Sequence, residues 1–280
     1  MKEVAYVNGE FCDLAEARVS IEDRGFQFAD GVYEVIVAHS GRLFRLEQHL
    51  ARLKHSTDTI DLPIDYAALN LPGVIEEGVR RCGFENVMVY LQITRGVAPR
   101  HHEFPEQVTP TVVATFKPKP TVKTEVRQRG ISLKTVEDIR WAWCDVKSIA
   151  LLPNILMKNS TGREGYFDAI FVSSDGLVRE TTRANVFIVN NGALRTPPMT
   201  SRILHGVTRD YLLECARKLD IPYQECDFHV PEMLSADEVF ITSTTIDVLS
   251  ATSVNDEKIG DGRPGPVAGR LLECFSNRGR

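Results

Sequence analysis

No stretch of this sequence approaches the roughly eighteen consecutive apolar residues that a membrane-spanning helix needs. The opening ten residues, Met1 to Glu10, hold no apolar core of the signal-peptide kind, so neither export nor insertion is expected and a cytoplasmic protein is. Basic excess is also missing. The formal net charge of -5 is modest and both signs are dispersed, which excludes an electrostatic footprint for nucleic acid and any polybasic membrane segment. Small polar ligands are the expected partners. Cys12, Cys82, Cys144, Cys215, Cys226 and Cys274 are scattered, with no C-x-x-C pair and no metal-ligand spacing. That pattern suits reduced thiols and gives no reason to expect a metal. No low-complexity tract or fixed-period repeat occurs, which sets disorder and solenoids aside. What remains is ordinary globular composition, 43% hydrophobic, in a chain of 280 residues, enough for two domains or one large α/β unit.

Residues 3 to 7 read as a strand and Asn8-Gly9 as a hairpin turn. The segment from Glu22 to Val35 then places two glycines, three aromatics and four carboxylates in fourteen residues. Such a segment can be a tight turn that delivers side chains from a strand start into a pocket. Tyr33 and Glu34 open the apolar strand 35–38, so alternation sends them to opposite faces. A helix from about Leu46 to Lys54 follows, with Leu46, Leu50 and Leu53 as its buried stripe. Arg52 lies beside that stripe, where an arginine either snorkels to water or reaches inward to an anion such as phosphate. A second helix, Tyr66 to Arg81, ends at Gly83, and Asn86 to Thr94 reads as a mostly buried strand.

That strand runs into a loop from Arg95 to Pro105 that concentrates two arginines and two histidines. It is either a solvated surface loop or a binding loop in which Arg100 and His102 form a forked donor pair for a carboxylate. After a strand at 111–117, alternating Lys and Pro favours extended backbone, which makes 118–124 the linker between domains at 1–117 and 125–280. The second half is expected to open with strands near 125–135. A helix starting at Pro153 runs to about Thr161, followed by a strand at 167–172 and an Asp175-Gly176 hairpin. Glu180 ends a strand as a lone carboxylate, with Thr181 and Thr182 after it as hydroxyl donors. Gly206 to Asp210 opens a helix, and a helix start is a ready place for phosphate. A strand at 237–245 ends in the hydroxyls Ser243, Thr244 and Thr245, and a closing helix begins at Gly265.

Between the linker and the Pro153 helix lies Trp141-Ala142-Trp143-Cys144-Asp145-Val146-Lys147-Ser148, which sets one lysine among tryptophans and aliphatics. Lys147 there either snorkels or, desolvated, serves as an amine nucleophile that forms a Schiff base with a carbonyl compound.

These pieces, in this order, resemble the fold-type IV pyridoxal-phosphate enzymes, and within them the bacterial D-amino acid transaminases. The resemblance covers essentially the whole chain. It rests most on Asp23-Arg24-Gly25 through Val35, Thr94-Arg95-Gly96 through Phe104, Ile139-Arg140-Trp141 through Ser148, Gly206 to Asp210, and Ser243-Thr244-Thr245. It implies an α/β (α+β) fold of two α/β domains with pyridoxal 5'-phosphate at their interface. It further implies that Lys147 forms the Schiff base and shuttles the substrate's α-proton, and that Glu180 keeps the pyridine nitrogen protonated. Arg52, the backbone N–H groups of Val207 and Thr208, and Thr244 would form the phosphate cup; Thr182 also joins the cofactor-binding set, and Leu204 would pack on the ring. Tyr33, Arg100 and His102 would hold the substrate's α-carboxylate, with the Arg100 loop reaching into a partner subunit, so that a homodimer is implied.

One departure stands out: Glu180-Thr181-Thr182-Arg183-Ala184-Asn185 replaces the small-residue turn usual after the carboxylate. Arg183 would then reach the phosphate, a substrate side-chain carboxylate, or solvent. Competing expectations are a branched-chain L-amino acid transaminase, a lyase of the aminodeoxychorismate type, and a non-catalytic cofactor-binding protein.

Overall fold

The computed structural model describes residues 1–277. The chain divides into two units. The first comprises Met1–Pro120 and Val146–Ala150, and the second Thr121–Asp145 and the chain from Leu151 onward. A boundary drawn once along the sequence cannot express this, because the short Lys147 segment belongs to the first unit while both of its flanks belong to the second.

The first unit is built on strands β1 (Val4–Val7) and β2 (Glu10–Asp13), helix α1 (Arg24–Phe28), β3 (Gly31–His39), β4 (Arg42–Leu43), helices α2 (Leu46–Thr59), α3 (Tyr66–Leu69) and α4 (Leu71–Cys82), β5 (Asn86–Thr94) and β6 (Thr111–Pro118). The strands form one antiparallel sheet in the order β2-β1-β6-β5-β3-β4. Its long central strands alternate between core and periphery, so Val87, Val89, Leu91 and Ile93 of β5 face the core with Ile36 of β3, Phe116 of β6 and Ile75 of α4. Burying each such side chain contributes about 2 kcal/mol. The helix expected over Tyr66 to Arg81 is two helices. Pro72 sits in the first turn of α4, where its missing N–H is harmless, and Asn70 before it turns left-handed at φ 41° and ends α3.

The second unit contains α5 (Thr124–Arg129), β7 (Ile131–Glu137), α6 (Leu152–Arg163), β8 (Asp168–Val172), β9 (Val178–Thr181), β10 (Asn185–Asn190), β11 (Ala193–Thr196), α7 (Val207–Lys218), β12 (Tyr223–Glu225), α8 (Val230–Leu234), β13 (Glu238–Ser243), β14 (Asp247–Val254), β15 (Glu257–Lys258) and α9 (Pro266–Ser276). Where strands were expected near 125–135, the first half is helical. Gly130, at φ 74°, stops α5 and lets β7 begin. The sheet is mixed, in the order β12-β11-β10-β13-β14-β7-β8-β9, with β15 on β14 and parallel pairs at β14–β7, β7–β8 and β11–β12. One further pairing, Asn185 against Glu180, joins β10 to β9 and closes six of the strands into a circuit. Ile170, Val186, Ile188, Val239, Ile241 and Phe228 lie in its core.

Gly78 shows how tightly the first unit's helix and sheet pack. A Cβ there would stand 2.0 Å from the buried ring of Phe116. Alanine in place of glycine favours a helix by about 1 kcal/mol, but overpacking a close contact costs about 1–3 kcal/mol, and a 2.0 Å approach falls at the upper end. Gly78→Ala is therefore expected to lower stability by about 2 kcal/mol in urea denaturation; an unchanged midpoint would mean that Phe116 moves aside freely.

Candidate active site

Lys147 sits on a loop whose backbone is tied to the start of β3. Tyr33 N–H donates to Lys147 O at 2.9 Å, Ile149 N–H to Gly31 O at 3.1 Å, and Ser148 pairs with Val32 as an isolated bridge. On the other side Lys147 N–H donates to the hydroxyl of Ser56 in α2 at 3.1 Å. The lysine's setting differs from the one its sequence neighbours suggest. Trp141 and Trp143 belong to the second unit, are exposed, and pack on each other. Against the amine lies instead Tyr33, whose ring centroid is 4.2 Å from Nζ and which stacks on Tyr90. Burial pushes the Tyr90 phenol up to about 12, with Tyr33 adding to the effect.

Alternation in β3 turns Glu34 into the core, fully buried, opposite Tyr33. Glu34 accepts from Arg52 at two points, Nε to Oε1 and Nη2 to Oε2, both 2.8 Å, and from His49 Nδ1 at 2.8 Å. Arg52 is therefore a buried residue forked onto a carboxylate, which corrects the snorkelling alternative and takes up two of the nitrogens that a phosphate would use. Burial opposes the charge on Glu34, but Arg52 and His49 together hold the carboxyl down at about 2. Burial also lowers the pKa of His49 despite Glu34. A neutral imidazole donating from Nδ1 leaves Nε2 as an acceptor, and that atom is buried with no hydrogen-bond partner.

The loop after β5 turns at Gly96, at φ 88°, where a Cβ would stand 1.9 Å from Thr109 O. Only glycine fits there. Beyond it Arg100 and His102 are exposed and share one support. The Arg100 guanidinium lies 4.8 Å over the Phe28 ring, and His102 meets that ring edge-on at 5.7 Å. The structure thus brings the proposed carboxylate donors onto one side chain of α1.

In the second unit Glu180 is buried at the closing pair of the strand circuit. Arg140 and the N–H of Leu204 donate to its Oε1, and Asn185 Nδ2 donates to Oε2 at 3.2 Å and also to Leu204 O at 3.0 Å. Arg140 is fixed in turn by Asp138, Nε to Oδ1 and Nη2 to Oδ2, both 2.9 Å. Burial works against the Arg140 charge, yet Glu180 and Asp138 hold it above its ordinary value. Glu180 thus faces a cation that is itself fixed in place. Helix α7 begins at Val207 and Thr208 with no side-chain cap; a Cβ at Gly206 would meet Asn185 Oδ1 at 2.1 Å. Thr244 is half-buried in the turn after β13, next to Ser243, whose Oγ is buried with no hydrogen-bond partner. Thr182 is differently engaged. Its hydroxyl donates to the buried Asp168 at 2.6 Å and its N–H to Ala169 O at 3.2 Å, so neither donor is directed at a ligand. Arg183 pairs loosely with Asp168 at 3.8 Å and lies over Phe167, which accounts for it without phosphate or substrate.

A family model for amino-transferase class IV matches residues 31–254. The chain belongs to the class IV aminotransferases. It is 39% identical over 270 residues to a D-alanine aminotransferase of Bacillus licheniformis, covering 96% of this chain and 95% of that one. It is 38% identical to the enzyme of that name from Staphylococcus haemolyticus, covering 97% and 96%. Among solved structures, the branched-chain amino acid aminotransferase of Escherichia coli shares the fold with a TM-score of 0.93 at 24% identity, covering 99% and 95%. The branched-chain aminotransferase of the archaeon Thermoproteus uzoniensis, solved with norvaline, has a TM-score of 0.87 at 25% identity, covering 98% and 93%. As a class IV aminotransferase the chain is an enzyme of fold type IV, a class whose cofactor is pyridoxal 5'-phosphate.

Sequence reasoning passed over His49, Asp138, Asn185 and the pairing role of Glu34. Only Glu34 carried a signal, as an inward-facing carboxylate on an apolar strand; His49 meets it from fifteen residues away, and Asp138 and Asn185 matter through Arg140 and Glu180, which the fold brings together across forty residues. The Glu34 cluster has a measurable consequence. A carboxyl whose pKa is lowered in the folded state stabilises fully above its ordinary value of 4.5, and that stabilisation is lost as pH falls toward about 2. Glu34→Gln leaves Arg52 without its buried counter-charge and is expected to cost about 3 kcal/mol at pH 7. In urea denaturation the gap from wild type should narrow as pH drops below about 4.5; equal midpoints at pH 7 would show that the pair contributes nothing net.

Proposed function

We propose that this aminotransferase moves amino groups reversibly between D-amino acids, such as D-alanine and D-glutamate, and α-keto acids, with pyridoxal 5'-phosphate as cofactor. The observation that carries the reading is near full-length identity of 38–39% to D-alanine aminotransferases. The Pro99-Arg100-His101-His102 loop supports it. Likeness in fold to branched-chain aminotransferases favours a second reading, an L-amino acid transaminase, but it comes at only 24–25% identity.

The residues present fit the cofactor. A buried carboxylate paired with Arg140 suits a protonated ring nitrogen, an uncapped helix start suits a phosphate, and the orphan atoms His49 Nε2 and Ser243 Oγ each call for a further polar partner. When bound, pyridoxal phosphate supplies the electron sink that stabilises the charge left at substrate Cα as its proton departs. Lys147 would hold the group through Nζ, Glu180 its ring nitrogen, Leu204 its ring face, and Val207, Thr208 and Thr244 its phosphate. Arg52 enters as a charge already fixed by Glu34, and the engaged donors of Thr182 leave it a supporting place.

Lys147 Nζ takes the proton from substrate Cα and returns it, base and acid in turn. Tyr33 lies against that amine. Arg100 and His102 donate to the substrate's α-carboxylate, and holding the carboxylate on one side decides which hand of Cα presents its proton to Lys147. We infer further that the enzyme is a cytoplasmic homodimer in which this loop serves the neighbouring subunit. No helix among the described residues is long and apolar enough to cross a membrane.

With cofactor loaded, D-alanine and not L-alanine should change the visible absorbance, and a keto acid should restore it. Lys147→Ala should do neither, and Glu180→Gln should lower kcat by about a hundredfold. A response to L-substrates alone would overturn the D-amino acid reading in favour of the branched-chain one.

A further inference from the structure

We propose that a largely buried cluster of Asp30, Arg24 and Arg95 positions the substrate-carboxylate loop, on the reading above that Arg100 and His102 bind that carboxylate. Asp30 Oδ2 accepts from Nε of both Arg24 and Arg95, each at 2.8 Å. Both arginines are almost wholly buried. From this shared anchor each reaches the loop in its own way. Arg24 Nη1 donates to His101 O at 2.6 Å and Glu103 O at 3.3 Å, the carbonyls on either side of His102. The Arg95 guanidinium, tied by its other nitrogens to Ile60 O at 2.8 Å and Asp61 O at 2.7 Å, lies 3.6 Å from the centre of the Phe104 ring. Arg24 also lies 4.9 Å over Phe28, the ring on which Arg100 and His102 rest.

Stability alone does not explain two buried arginines on one largely buried carboxylate, because well-packed apolar side chains of similar volume usually stabilise as well or better. What the charges add is direction: planar guanidinium groups, fixed by one carboxylate, aim donors at chosen backbone carbonyls. An irregular loop has no ladder of its own to hold exposed donors in place, and a small misplacement of a binding group costs rate steeply. Asp30, Arg24 and Arg95 are thus positioning residues. They act on the substrate through the loop, whichever subunit's substrate it serves.

The test uses the cofactor-loaded enzyme and three variants. Arg24→Lys keeps a charge facing Asp30 but loses the fork onto the loop carbonyls. Phe104→Leu removes the stacking partner of Arg95 at an exposed position and so spares the fold. Arg100→Ala is the reference. Steady-state KM and kcat are read with D-alanine, the first half-reaction is read with an alkylamine that has no carboxylate, and amide exchange is followed over residues 101–104. Arg24→Lys and Phe104→Leu are expected to raise KM for D-alanine by about tenfold, leave kcat and the alkylamine rate within about twofold, and speed loop exchange. If D-alanine and alkylamine suffer alike, the cluster is structural and the proposal falls. If Arg100→Ala raises KM while both other variants match wild type, the loop keeps its carboxylate role and the positioning role is overturned. If Arg100→Ala itself leaves KM unchanged, the carboxylate reading fails and the proposal with it.

Discussion

The backbone pairing of residues 147–149 with the first residues of β3 is the constraint on which the first unit's chemistry depends. Two hydrogen bonds, Tyr33 N–H to Lys147 O and Ile149 N–H to Gly31 O, which together form the Ser148–Val32 bridge, pair this segment with the first residues of a strand whose other side is paired to β5. Because those bonds are backbone to backbone, they fix Lys147 independently of the side chains on either side of it. The same pairing sets Tyr33 beside the amine, and strand alternation then requires Glu34 to face inward among apolar neighbours. A carboxylate in that position needs partners, and α2 supplies two, His49 and Arg52, one helical turn apart.

Carboxylates buried or nearly so recur with the same solution. Glu34 is met by Arg52, Asp30 by Arg24 and Arg95, and Glu180 by Arg140, itself held by Asp138. In each case the arginine's planar fork fixes the carboxylate's orientation as well as its charge, which a lysine's single point charge would not do. The outcomes differ by surroundings. Glu34 is enclosed by its partners, whereas Glu180 stands at the pairing that closes a circuit of strands, where regular backbone on both sides sets its place.

Regular elements were largely readable in the sequence because their periodicity is local. The strand at 86–94, the helix starting after Gly206 and the hairpins at Asn8-Gly9 and Asp175-Gly176 all follow from alternation, capping and turn chemistry. Two elements were misread for equally local reasons. Asn70 turns left-handed and ends one helix just before Pro72 enters the first turn of the next, and Thr124 to Arg129 is too short for helical and strand patterns to separate. The family was legible from the order of motifs along the chain. The engagement of Arg52 and Thr182 was not, since each depends on a carboxylate, Glu34 or Asp168, fourteen or more residues away. Nor could the setting of Lys147 be read from Trp141 and Trp143. A residue's environment is built by what folds against it, and here that is β3 and α2.

The groups proposed to hold the cofactor and those proposed to hold the substrate differ in the kind of structure that carries them. Glu180 ends a strand, Val207 and Thr208 start a helix, and Thr244 follows a strand. Such positions are stiff, which suits a group that stays bound through many turnovers. Arg100 and His102 stand on an irregular, exposed loop, which suits a substrate that must enter and leave. Irregular backbone, however, cannot order its own side chains. The Phe28 ring beneath both donors and the buried arginines behind them supply from α1 and the end of β5 the support that the loop lacks, so the loop can stay open to solvent at its tip while its base is tied to regular structure.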